Sequence, residues 1–80
     1  MFAYIKLELT DVDSFCSNMN LFKSNIIAIE EDKSIYIKSL ISFLTVDLSK
    51  EICIKIESSD EKELKHFTEI IERYGGKIVD

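Results

Sequence analysis

Apolar residues in the first nine positions alternate, with Ala3, Ile5, Leu7 and Leu9 on one side and Phe2, Tyr4, Lys6 and Glu8 on the other. A period of two predicts a half-buried strand over residues 2–9. Thr10, Asp11 and Asp13 then supply helix-start chemistry, and Val12, Phe15, Cys16, Met19 and Phe22 recur at steps of three and four. The period has changed to that of a helix, predicted from about Asp11 to Phe22. Residues 25–30 and 33–38 are rich in isoleucine and flank Glu31 and Asp32, so they read as an antiparallel hairpin with a polar turn. Ser39 is a natural N-cap for a short second helix through Leu40, Ile41, Phe43 and Leu44, ending near Thr45 or Val46. Ile52, Ile54 and Ile56 alternate with Cys53, Lys55 and Glu57, which predicts a fourth strand with one apolar face.

Ser58, Ser59 and Asp60 open a last helix whose first turn holds Glu61 and Glu63, acids that suit the positive end of a helix dipole. Its apolar stripe is Leu64, Phe67, Ile70, Ile71 and Tyr74, and Gly75 and Gly76 close it. Lys77, Ile78 and Val79 are left as a short extended tail. The predicted order is therefore βαββαβα: an α+β domain with a four-stranded antiparallel sheet and three helices on one face. Eighty residues allow one core, so residues 1–80 are expected to form a single domain.

Composition narrows the function classes more than the fold. Apolar residues make up 46% of the chain and charged ones 31%, ordinary values for a chain that folds on its own. The net charge is −5 and the ten Lys and Arg residues are scattered, which argues against nucleic acid, whose phosphates need a concentrated basic face. The first residues show no basic leader or long apolar run, so no membrane association is expected and the cytoplasm is the expected compartment. Cys16 and Cys53 have no second Cys or His at ligand spacing, so both read as structural thiols, without metal or disulfide. Nucleophile-elbow, phosphate-loop and metal-helix motifs are absent; neither catalysis nor a cofactor is expected. Glu30, Glu31 and Asp32 read as turn and solubility residues, because a wetted hairpin tip does not raise carboxylate pKa values.

The chain resembles the HPr family, the histidine-containing phosphocarriers of the sugar phosphotransferase system. The resemblance covers nearly the whole chain. It is most specific over residues 24–44, SNIIAIEEDKSIYIKSLISFL, where the hairpin leads into Lys38-Ser39-Leu40, a lysine-serine opening of the second helix. The resemblance implies an open-faced β-sandwich. It also implies a phosphate-carrying histidine at the start of the first helix, in a His-x-Arg-Pro-Ala motif, and that motif is missing. Leu9-Thr10-Asp11-Val12-Asp13-Ser14-Phe15 joins strand to helix directly, and Asp11 and Asp13 would repel a phosphate. The single histidine, His66, lies beside Phe67 in the last helix and reads as an exposed helix residue.

Ser39 matches the serine that some family members phosphorylate for regulation, although an N-cap role alone also accounts for it. The second helix carries more apolar residues than one stripe can bury, which makes Leu40, Ile41 and Phe43 docking candidates; burial under a neighbouring loop is the competing reading. The expected function is that of a degenerate HPr-like regulatory or protein-interaction module, with a phosphotransferase-system enzyme, kinase or regulator as its protein partner. Two alternatives stand beside it: a phosphocarrier using a non-standard residue, and a ferredoxin-like small-molecule-binding regulatory domain, whose element order the first six elements also match. Strand order separates the last of these, since the HPr arrangement sets the first strand beside the fourth and the ferredoxin-like one pairs the first with the third.

Overall fold

A computed structural model describes residues 1–79. In chain order the elements are β1 (Phe2–Ile5), a 3₁₀ turn (Leu9–Asp11), α1 (Val12–Met19), β2 (Asn25–Glu30), β3 (Lys33–Tyr36), α2 (Leu40–Phe43), β4 (Ile52–Glu57), α3 (Glu61–Arg73) and β5 (Lys77–Ile78). The α+β class, the antiparallel sheet and the three helices expected from the sequence are all present. The strands are ordered β3-β2-β4-β1-β5, and every neighbouring pair is antiparallel.

Alternation dictates how this sheet faces its core. Ile52, Ile54 and Ile56 are buried, as are Ala3 and Ile5 beside them on β1 and Ile26 and Ala28 on β2. Phe15, Cys16 and Met19 from α1, Phe43 from α2, and Phe67, Ile70 and Ile71 from α3 close over that face and join it in one cluster. The opposite face stays open, with Ile27, Ile29 and Cys53 half-buried and Tyr4 and Tyr36 exposed. Ile35 is only half-buried because β3 is an edge strand, whereas Ile37 just beyond it is fully buried and its N–H still donates to the Ile26 carbonyl oxygen (3.3 Å). At the hairpin tip Glu31 takes φ +55°, a left-handed conformation that costs a residue with a Cβ on the order of 1 kcal/mol.

The sheet has five strands, not four. The tail returns along β1, pairing Ile78 with Ala3 and Lys77 with Tyr4. Two glycines make this return. Gly75, at φ +83°, donates to the Glu72 carbonyl and Gly76 to that of Ile71 (3.0 and 2.9 Å), the paired bonds of a Schellman cap. The chain then passes so close to β1 that a Cβ on Gly76 would lie 2.7 Å from the Tyr4 carbonyl oxygen and 2.9 Å from Ile71 Cγ2.

Other boundaries also move. β1 stops at Ile5, opposite Ile52, because β4 offers no further residue to pair with. The chain turns instead, with the Asp11 N–H donating to the Glu8 carbonyl (2.9 Å) and the Glu8 N–H to Asp11 Oδ2 (3.4 Å). α1 ends at Met19 rather than Phe22, although Phe22 is still buried through the following turn. At the start of α3 the Asp60 carboxylate accepts the Lys62 N–H (2.9 Å), the cap its sequence position predicts. The other end of α3 is tied to α1 by Tyr74, whose ring meets Phe15 edge-on at 5.1 Å and whose hydroxyl lies 2.8 Å from Ser14 Oγ.

Replacing Gly76 by alanine is expected to lower stability by roughly 1–3 kcal/mol, the range for an overpacked site. The reading is urea unfolding together with amide exchange at Val79, whose N–H donates to the Phe2 carbonyl oxygen (3.0 Å). Faster exchange at Val79 is the specific sign that β5 has come away; unchanged exchange would show that β1 and the tail tolerate the added methyl.

Candidate functional site

At the strand-to-helix junction, where the family motif would stand, the backbone forms the 3₁₀ turn and the first turn of α1. Glu8, Asp11 and Asp13 supply its charge. The neutral groups close in on themselves: Ser14 Oγ donates to the Asp11 carbonyl (3.2 Å), and Asn18 Nδ2 donates to the Ser14 carbonyl (2.9 Å) and to the Tyr74 hydroxyl (3.3 Å). An arriving phosphoryl group would meet carboxylates and hydroxyls already engaged with one another. Residues 8–15 include no Lys, Arg or His side chain that would stabilise negative charge.

Ser39 and His66, the two residues of chemical interest elsewhere, are held on either side of Phe22. His66 is exposed and its imidazole lies tilted against the Phe22 ring, 4.9 Å between centroids. Lys38 donates through Nζ to the Phe22 carbonyl oxygen (2.5 Å). The ammonium beside Ser39 is therefore already partly committed. Ser39 is exposed and caps α2 as its sequence position predicts, but by a long bond, 3.4 Å from the Ser42 N–H to Oγ. With four residues, α2 offers little dipole to hold an added phosphate.

The three docking candidates divide. Phe43 is buried, its ring 6.0 Å from that of Phe15, so it belongs to the core and is no docking residue. Leu40, Ile41 and Leu44 are 38%, 82% and 53% exposed. A helix of one turn has a single inward direction, which Phe43 takes, and its other apolar side chains are left to the solvent. Leu21, just past α1, is 68% exposed and extends the same kind of surface; its place at the end of the α1 periodicity concealed it in the sequence.

Glu63, which the sequence offers as an acid at the positive end of α3, is also a hub. Its carboxylate accepts the Lys23 N–H (2.8 Å) and the hydroxyls of Ser24 (2.5 Å) and Ser58 (2.9 Å), pinning the α1–β2 and β4–α3 connections to the start of α3. These hydrogen bonds, from Ser24 and Lys23 foremost, hold its carboxyl at about 2. A hollow of about 320 Å³ lies at the other end of the molecule, where Glu30, Glu31, Asp47 and Glu51 stand with Lys33 and Lys50 around an apolar floor. Two of its carboxylates are occupied with local structure: Glu30 accepts the Asp47 N–H (3.0 Å), and Asp47 accepts from the Ser49 hydroxyl and N–H, bonds that lower its carboxyl pKa. Among the described residues no group of three His, Cys, Asp or Glu side chains is placed to hold a metal ion.

The two thiols are free and lie on opposite sides of the sheet, Cys16 in the core and Cys53 on the open face. Burial, reinforced by Asp13, pushes the Cys16 thiol up, so it stays protonated and serves as a weak donor to the Lys38 carbonyl oxygen (3.4 Å). Among the described residues no helix is long and apolar enough to cross a membrane.

Replacing Ser39 by alanine is expected to cost about 0.5 kcal/mol, the low end for a cap, because the bond is long; Ser39→Asp is expected to keep the fold. Thermal unfolding of both variants checks this. The Glu63 carboxyl, being depressed from an ordinary 4.5 to about 2 in the folded protein, contributes stability that is complete above about pH 4.5 and is lost as the pH falls towards 2. Urea midpoints between pH 5 and pH 2 are expected to fall less steeply for Glu63→Gln than for the native chain, and equal slopes would remove Glu63 from the acid response. The chain matches no protein-family model and no curated protein sequence.

Proposed function

We propose that this chain is an HPr-like domain that has given up phosphate transfer and works in the cytoplasm as a regulatory or protein-interaction module related to the sugar phosphotransferase system. Its partner is then a phosphotransferase-system enzyme, a kinase or a regulator. The observation that carries the proposal is the exposed apolar surface of α2, Leu40, Ile41 and Leu44, immediately after the Lys38-Ser39 step. Three large aliphatic side chains on one exposed turn are costly for a solitary protein and useful to one that docks. Strand order supports the same reading. The first strand lies beside the fourth and the outer strand of the hairpin lies at an edge, as the resemblance implies, with β5 added beyond β1.

The alternatives gain less. β1 is flanked by β4 and β5 and does not touch β3, which tells against a ferredoxin-like arrangement. A relocated phosphocarrier would need donors around its nucleophile, and His66 has an aromatic ring against it instead. The proposal includes no enzymatic activity, no cofactor and no nucleic-acid partner.

With phosphoenolpyruvate and the general phosphotransferase enzyme, the native chain is expected to take up no acid-labile phosphate, and His66→Ala to change nothing. Label that appears in the native chain and vanishes in His66→Ala would overturn the proposal in favour of a carrier. Calorimetric titration with that enzyme and with a serine kinase of the system is expected to show binding that falls on Ile41→Glu; binding that shifts with Ser39→Asp would make Ser39 the regulatory position.

A further inference from the structure

Charge is distributed unevenly over this chain, and the gap coincides with the exposed apolar surface. There are ten basic and fifteen acidic residues in eighty, yet none within residues 14–22 and none within residues 39–46. These segments are α1 from Ser14 onward with its following turn, and α2 with its flanks. They lie against each other: Phe15 meets Phe43, while Asn20 Nδ2 (2.9 Å) and Cys16 Sγ (3.4 Å) both donate to the Lys38 carbonyl oxygen. Lys38, which directly precedes the second segment, is half-buried with its ammonium on the Phe22 carbonyl. Four exposed aliphatic residues, Leu21, Leu40, Ile41 and Leu44, belong to these two segments, while Leu9 and Val79 are exposed outside them.

The polar groups of this face are turned inward on the protein. Asn20 Nδ2 also donates to the Cys16 carbonyl (2.9 Å), Asn18 Nδ2 to that of Ser14 (2.9 Å), and Thr45 Oγ1 to that of Ser42 (2.6 Å). Water can therefore leave without stranding these groups, and depletion of charge is the compositional mark of the buried centre of an interface.

We propose that this uncharged face takes a second copy of the same chain, in a twofold-symmetric contact across α1 and α2; the proposal rests on the reading of α2 as an interaction surface. Electrostatics selects the occupant. A partner with a charged docking patch would lose its hydration here and find no counter-charge, which costs several kcal/mol per buried ion. A cationic partner is drawn to the acidic remainder of a chain of net charge −5, not to its neutral face. A second copy meets neutral with neutral, and it leaves the acidic residues of both chains outside the contact. The four aliphatic residues expose on the order of 400 Å² per copy, so a dimer would bury roughly 800 Å², short of the roughly 1,200 Å² of stable specific interfaces and in the range of weak, transient contacts. The dimer is weak, forms at high micromolar concentration, and is held by apolar contact that added salt does not screen.

Sedimentation velocity from about 5 μM to about 1 mM, at low and high sodium chloride, tests this on the whole chain. The native protein is expected to dimerise with concentration and no less tightly at high salt. Ile41→Glu, a change at a solvent-exposed position that leaves the circular dichroism intact, is expected to weaken the dimer by about tenfold or more. Tyr36→Glu, on the open sheet face, is expected to leave it unchanged. A chain that stays monomeric at the highest concentration overturns the proposal, and so does a dimer that survives Ile41→Glu or is lost in Tyr36→Glu. The general phosphotransferase enzyme, titrated in parallel, separates this outcome from that of the broader reading. Binding that is lost in Ile41→Glu in a chain that never dimerises removes the second copy and keeps the interaction module; a dimer that binds no such enzyme keeps the second copy and removes the link to the phosphotransferase system.

Discussion

Three isoleucines on the central strand, Ile52, Ile54 and Ile56, have to be shielded from water on the same side, and the rest of the molecule is arranged around that requirement. β4 lies between β2 and β1, so its inward row continues sideways into Ile26 and Ala28 and into Ala3 and Ile5. A one-residue slip of β4 against either neighbour would turn Lys55 inward, where an unpaired ammonium costs several kcal/mol. Register is thereby set for the centre of the sheet, and the helices are left to cover one side of it.

How they do so follows from where large side chains meet. α1 and α3 are joined near both ends of α1, by Tyr74 against Phe15 within it and by His66 and Phe67 against Phe22 beyond its end. Glu63 adds a third tie through the loops. α2 has a single turn and a single anchor, Phe43, which fills the space beside Phe15. An element fixed at one point and surrounded by uncharged chain is free to turn its other apolar residues outward. The exposed face of α2 is thus a consequence of how little of it the core needs, and it is the feature from which both the proposed docking role and the proposed self-association are drawn.

Several reactive groups of the chain are engaged in structure. Cys16 is buried and protonated, Asp47 and Glu30 hold a turn together, Glu63 is saturated with donors, and His66 stacks on an aromatic ring. Hydrogen bonds that lower a carboxyl pKa stabilise the ionised form for structural use and remove it from proton transfer near neutrality.

Periodicity made most of the fold legible. The alternation of β4, the helical stripe Phe67, Ile70 and Ile71, the cap at Asp60 and the turn between Glu30 and Lys33 are local patterns, and local patterns survive folding where burial on one face is strong. Ser39 as a cap and an excess of apolar residues on α2 could be read in the same way. Long-range pairing decided what remained. Residues 77–79 are too few to announce a strand, and they became one because Gly75 and Gly76 bring them against an edge of β1 that sequence does not reveal. β1 ended early because β4 had no residue left to pair with, and Phe43 separated from Leu40 and Ile41 because Phe15, twenty-eight residues earlier, occupies the inward direction. By itself the sequence determined which residues must leave water and with what period; only the tertiary structure decided which of several apolar neighbours did so, because that choice depends on partners distant along the chain.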